Sequence, residues 1–179
     1  MKTKLELGCG SSPIEGYLHQ DVTRQPNIEL DYICDPHEIP INENSLDEVI
    51  AIGVMEHLRF EEVEKTLNHM CRILKPNGYF LFDVPDMRVW SEYLYNVTHN
   101  KAHLNEFSSD HIWKTIYGHQ RWLGDEHKSG WTHDDILYIG KRTGFSNIII
   151  DKKVYIDAGI FRNRMKNDKN AHLYIKMTK

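Results

Sequence analysis

Residues 60–84 run a helix, a stop and an apolar strand together without interruption. Val63, Leu67, Met70, Cys71 and Leu74 recur at helical spacing, predicting a helix over Phe60–Leu74. Lys75-Pro76-Asn77-Gly78 then supplies a basic last turn, a breaker and a turn glycine. Tyr79–Val84 is almost continuously apolar, the composition of a strand covered on both faces. Such a strand implies helices on both sides of its sheet.

The first half alternates short apolar runs with turn signals, predicting strands at Lys4–Leu7, Gly16–Val22, Leu30–Cys34 and Leu46–Ile52. Beyond Pro85, Arg88–Val97 reads as a helix. Residues 99–131 mix aromatics, histidines and glycines without a clean period and read as an insertion or lid. Thr132–Thr143 restores helical character, with Thr132 as N-cap, Asp134 and Asp135 in the first turn and Gly144 at the stop. Phe145–Lys153 and His172–Met177 close the chain as strands able to pair antiparallel at one edge. The pattern predicts an α/β open sheet in a single domain over residues 1–179. Only residues 8–15 separate Leu7 from Gly16, and only 23–29 separate Val22 from Leu30. A parallel crossover ordinarily takes about a dozen residues or more, so the first two helices are expected to be truncated. A thinly covered sheet face there would favour a homodimer or a docked partner.

Composition narrows the class. Three cysteines without a C-x-x-C pair suit a reducing, cytoplasmic setting better than a disulfide scaffold. The longest apolar stretches fall well short of the roughly 20 residues of a membrane span, and Met1 leads straight into charged residues, so neither anchor nor signal peptide is expected. A net charge of -4 argues against nucleic acid as the main partner and favours a small-molecule enzyme.

Leu5-Glu6-Leu7-Gly8-Cys9-Gly10 places glycines directly after a strand, where absent Cβ atoms let a ligand approach the backbone. Glu6 is placed to take a cationic amino group, or is an ordinary edge carboxylate. A dinucleotide fingerprint would carry a third glycine where Pro13 stands, which disfavours nicotinamide and flavin cofactors. Asp21 and Asp35 close the second and third strands, as candidates for ribose hydroxyls and an exocyclic amine, or as plain turn residues.

These residues resemble a class I S-adenosylmethionine-dependent methyltransferase of the compact kind grouped as methyltransferase domain 11. Leu-Glu-Leu-Gly-Cys-Gly resembles the first motif of that family. Ile39–Val49 resembles the segment leading into strand four, and Val54-Met55-Glu56-His57-Leu58 the segment after it. Cys71–Phe80 resembles the block before strand five, and His127-Lys128-Ser129-Gly130-Trp131 with Gly144-Phe145 the late elements. The resemblance covers residues 4 to 153. It implies a Rossmann-like, mostly parallel seven-stranded sheet with an antiparallel last strand, and S-adenosylmethionine as cofactor. It also implies that Glu6, Gly8 and Gly10 hold the methionine part, Asp21 the ribose and Asp35 with Pro36 the adenine. Gly53 and Val54 would then line the floor beside the sulfonium. Asn77 stands where the family often has glycine, and asparagine tolerates the left-handed turn.

Six of the eleven histidines, His99, His103, His111, His119, His127 and His133, lie within 35 residues, interleaved with Trp113, Tyr117, Trp122 and Trp131. His99 and His103 at i, i+4 would share a helix face, but no companion ligand has metal-site spacing, so no metal is expected. His111, His119 or His127 in a lid would suit a general base at neutral pH. Polar surface is the plainer reading of each. His57, after strand four, and Asp86, after strand five, complete the catalytic candidates. The expected reaction is methyl transfer to a hydroxyl or amine of a small molecule or saccharide. The alternatives are a non-catalytic methyltransferase-like protein that binds a partner, or an RNA or protein methyltransferase using the basic stretch from Phe161 to Lys179.

Overall fold

The computed structural model describes residues 3–160 and 171–179. Arg162, Arg164, Lys166 and Lys169 of the basic stretch lie outside the described residues. In chain order the elements are β1 (Lys4–Leu7), β2 (Leu18–Asp21), β3 (Tyr32–Ile33), β4 (Leu46–Ala51), α1 (Phe60–Ile73) and β5 (Leu74–Pro85). There follow α2 (Met87–Thr98), α3 (Ser109–Tyr117), α4 (His133–Arg142), β6 (Asn147–Ile150), α5 (Lys153–Asp157) and β7 (His172–Thr178). The strands form one sheet in the order β3-β2-β1-β4-β5-β7-β6. The pairs from β3 through β5 are parallel, while β7 runs antiparallel to both β5 and β6. This is the expected Rossmann-like α/β architecture with an antiparallel last strand.

The sequence pattern around β5 works as expected. Helix α1 ends at Ile73, and the turn before the apolar run passes through Asn77 in the left-handed region, φ 66°. At the other end of α1 the Arg59 N–H donates to Glu62 Oε2 at 2.7 Å, which supplies the first-turn partner. Phe80, Phe82 and Val84 of β5 join Val49 and Ala51 of β4 and Leu173, Ile175 and Met177 of β7 on one sheet face. Val63, Leu67, Met70 and Ile73 of α1 and Ile136 and Ile139 of α4 cover them. Ile50, Leu81 and Tyr174 point the other way, as period-two strands require.

That second face meets the expectation of helices on both sides, but thinly. Both long sheet-packing helices lie on the first face. The second is covered by the five-residue α5, through Val154 and Tyr155, and by Ile14 and Tyr17 of the β1–β2 link. The links 8–17 and 22–31 hold no helix, in keeping with truncated crossovers. The predicted third strand shrinks to two residues, and the predicted sixth ends at Ile150, where Asp151 Oδ1 accepts from the Lys153 N–H and starts α5. The 99–131 segment divides in two. Helix α3 packs on α2 through Trp90, Phe107 and Ile112, and a loop from Gly118 returns toward the sheet.

Helix α4 is capped as its sequence indicates, Thr132 Oγ1 accepting from the Asp135 N–H and Asp135 Oδ2 accepting from the Thr132 N–H at 2.9 Å. Thr132→Ala is expected to cost about 1 kcal/mol, seen as a lower urea midpoint with an unchanged slope; an unchanged midpoint would show that packing alone fixes α4.

Candidate functional site

A cleft of about 1040 Å³ opens over the carboxyl ends of β1, β2 and β4. Its back is the turn after β1. Gly8 and Gly10 both adopt φ 57°, left-handed backbone that glycine enters without strain. Three hydrogen bonds hold the turn: the Gly8 N–H donates to Gln20 Oε1 at 3.1 Å, the Cys9 N–H to the Gln20 carbonyl at 3.1 Å and the Gly10 N–H to Asp21 Oδ2 at 3.0 Å. Gln20 also donates through Nε2 to the Cys34 carbonyl, so one buried side chain ties the ends of β1, β2 and β3 together. The pattern of glycines and acids gave no hint of this role for Gln20.

The opposite wall is the turn after β4, where the Gly53 N–H donates to Asp83 Oδ1 at 3.0 Å. Val54 packs so closely on the glycine turn that a Cβ on Gly8 would meet its Cγ2 at 2.6 Å. Asp35, Pro36 and His37 form one side. Arg121, Trp122, Leu123, Gly124, Asp125 and Lys128 form the outer rim, with Trp122 and Leu123 strongly exposed. The Arg121 guanidinium lies 4.3 Å from the Trp122 ring centre and holds Asp125, whose carboxyl it keeps below the ordinary carboxylate range.

Of the expected ligand residues, Gly8, Gly10, Asp21, Asp35, Gly53 and Val54 all line this cleft, and so does His57. Glu6 does not. It is 2% exposed, and its Oε2 accepts from the Ile14 N–H at 2.7 Å, which ties it to the link to β2. Asp86 also lies elsewhere. It caps α2, accepting from the Arg88 N–H at 3.0 Å, and pairs with the Arg88 side chain at 2.8 Å. His111 stacks on Phe107 in the α2–α3 cluster, with ring centres 4.9 Å apart, away from the cleft. His99 ends α2 and His103 sits on a separate 3-10 turn, so they share no helix face.

His127 stands one layer behind the rim, edge-on to His57 with ring centres 4.9 Å apart. Burial pushes its imidazole down to about 4, with His57 adding to the shift. A base that weak is poorly matched to proton abstraction at neutral pH, and His127 does not itself line the cleft. The two rings meet because the Lys128 and Ser129 N–H groups donate to the Glu56 carbonyl, at 2.8 and 3.2 Å.

An open, mostly parallel sheet with a cleft across its strand ends is the arrangement in which doubly-wound α/β domains hold their ligands. Residues 15–82 match the model of the methyltransferase domain family. Over 83 residues the chain is 37% identical to mRNA cap guanine-N(7) methyltransferase 2 of Oryza sativa subsp. japonica, a match that covers 42% of this chain and 24% of that protein. The match therefore spans about a quarter of that relative's length. Among solved structures, a methyltransferase from Archaeoglobus fulgidus matches with a TM-score of 0.59 at 14% identity, covering 98% of this chain and 85% of its own. A possible histamine N-methyltransferase from Thermotoga maritima matches at 0.58 and 13% identity, covering 98% and 81%. The phosphoethanolamine N-methyltransferase 2 of Haemonchus contortus matches at 0.55 and 16%, covering 99% of this chain and 49% of its own. The fold of this chain is that of S-adenosylmethionine-dependent methyltransferase structures, and residues 15–82 carry the match to the methyltransferase domain family. No helix among the described residues is long and apolar enough to cross a membrane.

Proposed function

We propose that this chain transfers a methyl group to a hydroxyl or amine of a small polar acceptor, with the 118–131 loop as a rim over the acceptor. The observation that carries the reading is the continuity of one cleft from the Gly8–Gly10 turn, past Asp21 and Asp35, to Gly53, Val54 and the Trp122–Leu123 rim. The residues fit S-adenosylmethionine. A Cβ at Gly10 would have nothing within 4 Å, so that side of the turn is open to a ligand. Asp21 and Asp35 offer carboxylate acceptors for ribose hydroxyls and an adenine amine. Asp21 accepts from Gly10 and Thr23 and still has lone pairs to offer, since a carboxylate has about four acceptor sites. Glu6, whose Oε2 accepts from the Ile14 N–H, sets the course of the link after the turn.

When bound, S-adenosylmethionine supplies an electrophilic methyl group. The protein's task is then position: Gly53 and Val54 close the floor, and Trp122, Leu123 and His57 confine the acceptor beside it and thin the water there. Exposed aromatic surface at the rim suits stacking on a planar or saccharide acceptor. The rice relative's name brings in a second class of acceptor, a capped RNA end.

Asp35 gives the cleanest test. Among the described residues its carboxylate accepts no hydrogen bond, and it is exposed, so its removal leaves the fold alone. Asp35→Ala is expected to weaken S-adenosylmethionine and S-adenosylhomocysteine at least tenfold in calorimetric titration, about 1.4 kcal/mol, with an unchanged melting temperature. Equal affinity would remove Asp35 from the site. No heat with either protein would favour a partner-binding role. Activity on a capped RNA that falls steeply with salt, without turnover of small acceptors, would move the assignment to nucleic acid.

A further inference from the structure

Glu56, His57 and His127 bring one carboxylate oxygen and two imidazole nitrogens to within 4.8 Å of one another, beside the cleft. We propose that these three side chains form a binding site for a divalent transition-metal cation of the zinc type.

Three features make this a built site rather than a chance cluster. First, the His57 imidazole already has a backbone partner on one nitrogen. His57 Nδ1 lies 3.1 Å from the Glu126 carbonyl, and the His127 ring sits edge-on to His57 with ring centres 4.9 Å apart. For His57, a backbone carbonyl on Nδ1 presents Nε2 as the ligand atom, the usual outer arrangement around a metal-binding histidine. Second, the ligands come from two rigid pieces of backbone clamped together. The 3-10 turn Met55–His57 carries Glu56 and His57. The Lys128 and Ser129 N–H groups bond to its Glu56 carbonyl, and Ser129 Oγ donates to the Met55 carbonyl at 3.3 Å. The His127 N–H donates to the Tyr117 carbonyl at 3.1 Å, which holds the third ligand from the other side. Third, the set has one open side. Glu56 is 5% exposed and His127 is half-buried, while His57 lines the cleft wall near Gly53 and Val54.

Two histidines with one glutamate, plus an open position, is a donor set used by catalytic zinc. At a tetrahedral zinc with bonds of about 2.1 Å the ligand atoms stand about 3.4 Å apart. Closing from at most 4.8 Å is a contraction of at most about 1.4 Å between any two ligand atoms. Imidazole donors favour zinc over magnesium, which takes oxygen ligands. Of the three residues only His57 lines the cleft, so the site borders the space proposed for the acceptor, where a bound cation would supply Lewis-acid character. A second group, Asp35, His37 and Glu38, also gathers ligand atoms, but it lies at the cleft side and its two carboxylates are exposed.

Zinc binding is read without the cofactor, so it stands or falls apart from the methyl-transfer reading. Zn²⁺, Mn²⁺ and Mg²⁺ are titrated separately into the metal-stripped full chain. One equivalent of Zn²⁺ is expected to bind, Mg²⁺ at least a hundredfold more weakly. His127→Gln and His57→Gln should each weaken Zn²⁺ at least tenfold, while His103→Gln, on an exposed turn, leaves it unchanged. Circular dichroism and melting temperature establish that each variant is folded. Should His127→Gln fail to fold, the half-exposed His57 decides. No saturable Zn²⁺ binding, or equal binding by wild type and His57→Gln, overturns the site.

Discussion

Gly8→Ala is expected to lower stability by about 3 kcal/mol and to abolish measurable cofactor binding. Two physical costs meet at this position. At φ 57° an alanine pays the left-handed penalty of about 1–2 kcal/mol. Its Cβ would also stand 2.6 Å from Val54 Cγ2. Val54 is β-branched with a stiff χ1 and cannot swing aside freely, so overpacking adds about 1–3 kcal/mol. Gly10→Ala is the internal control, because it has the same φ and nothing within 4 Å of its Cβ. Urea denaturation should place Gly10→Ala between wild type and Gly8→Ala. Adding Val54→Ala to Gly8→Ala should restore about 1–2 kcal/mol, the coupling expected of residues in direct contact. Equal losses for the two glycine variants would show that the Val54 contact carries no weight and that strain alone shapes the turn.

What the sequence displays and what it hides follow the range over which each interaction acts. Helix α1, the Asn77 turn and the Thr132 cap are set by neighbours within four residues, so spacing shows them directly. The cleft over the strand ends follows from topology, and Gly8, Gly10, Asp21, Asp35, Gly53 and Val54 are brought there together. Polar side chains are harder, because a carboxylate at a strand end has competing uses. Glu6 is taken by the Ile14 N–H, and Asp86 by the first turn of α2 and by Arg88. The asymmetry of the two sheet faces was hidden as well. β5 is apolar on both sides, but short α5 and Tyr17 suffice to cover one of them. The pairing of His57 with His127 is the plainest case. Spacing arguments looked for metal ligands at i, i+4 in the histidine-rich segment, whereas the pair spans 70 positions and is joined by backbone hydrogen bonds from residues 128 and 129 to Glu56.

Gly118→Ala should separate the two halves of the site. Gly118 ends α3 at φ 81° and ψ 159°, a region that only glycine occupies readily. A Cβ there would lie 2.2 Å from the Asp125 carbonyl oxygen and 2.8 Å from the Glu126 Cα and the His127 nitrogen. All three are backbone atoms, so no side-chain rotation relieves the clash. The loop must open where Gly118 bridges Glu126 and where the His127 N–H meets the Tyr117 carbonyl. Because a surface loop opens at less than the global unfolding free energy, the damage stays local. Amide exchange should accelerate at residues 126–129 and remain unchanged in α1. Cofactor affinity should fall by less than tenfold, since Gly8, Gly10, Asp21 and Asp35 sit on strand ends that the loop does not hold. Zinc affinity should collapse, because His127 leaves Glu56 and His57. Intact zinc binding alongside accelerated exchange would separate His127 from the metal. Acceleration throughout the sheet would instead make the loop part of the cooperative core.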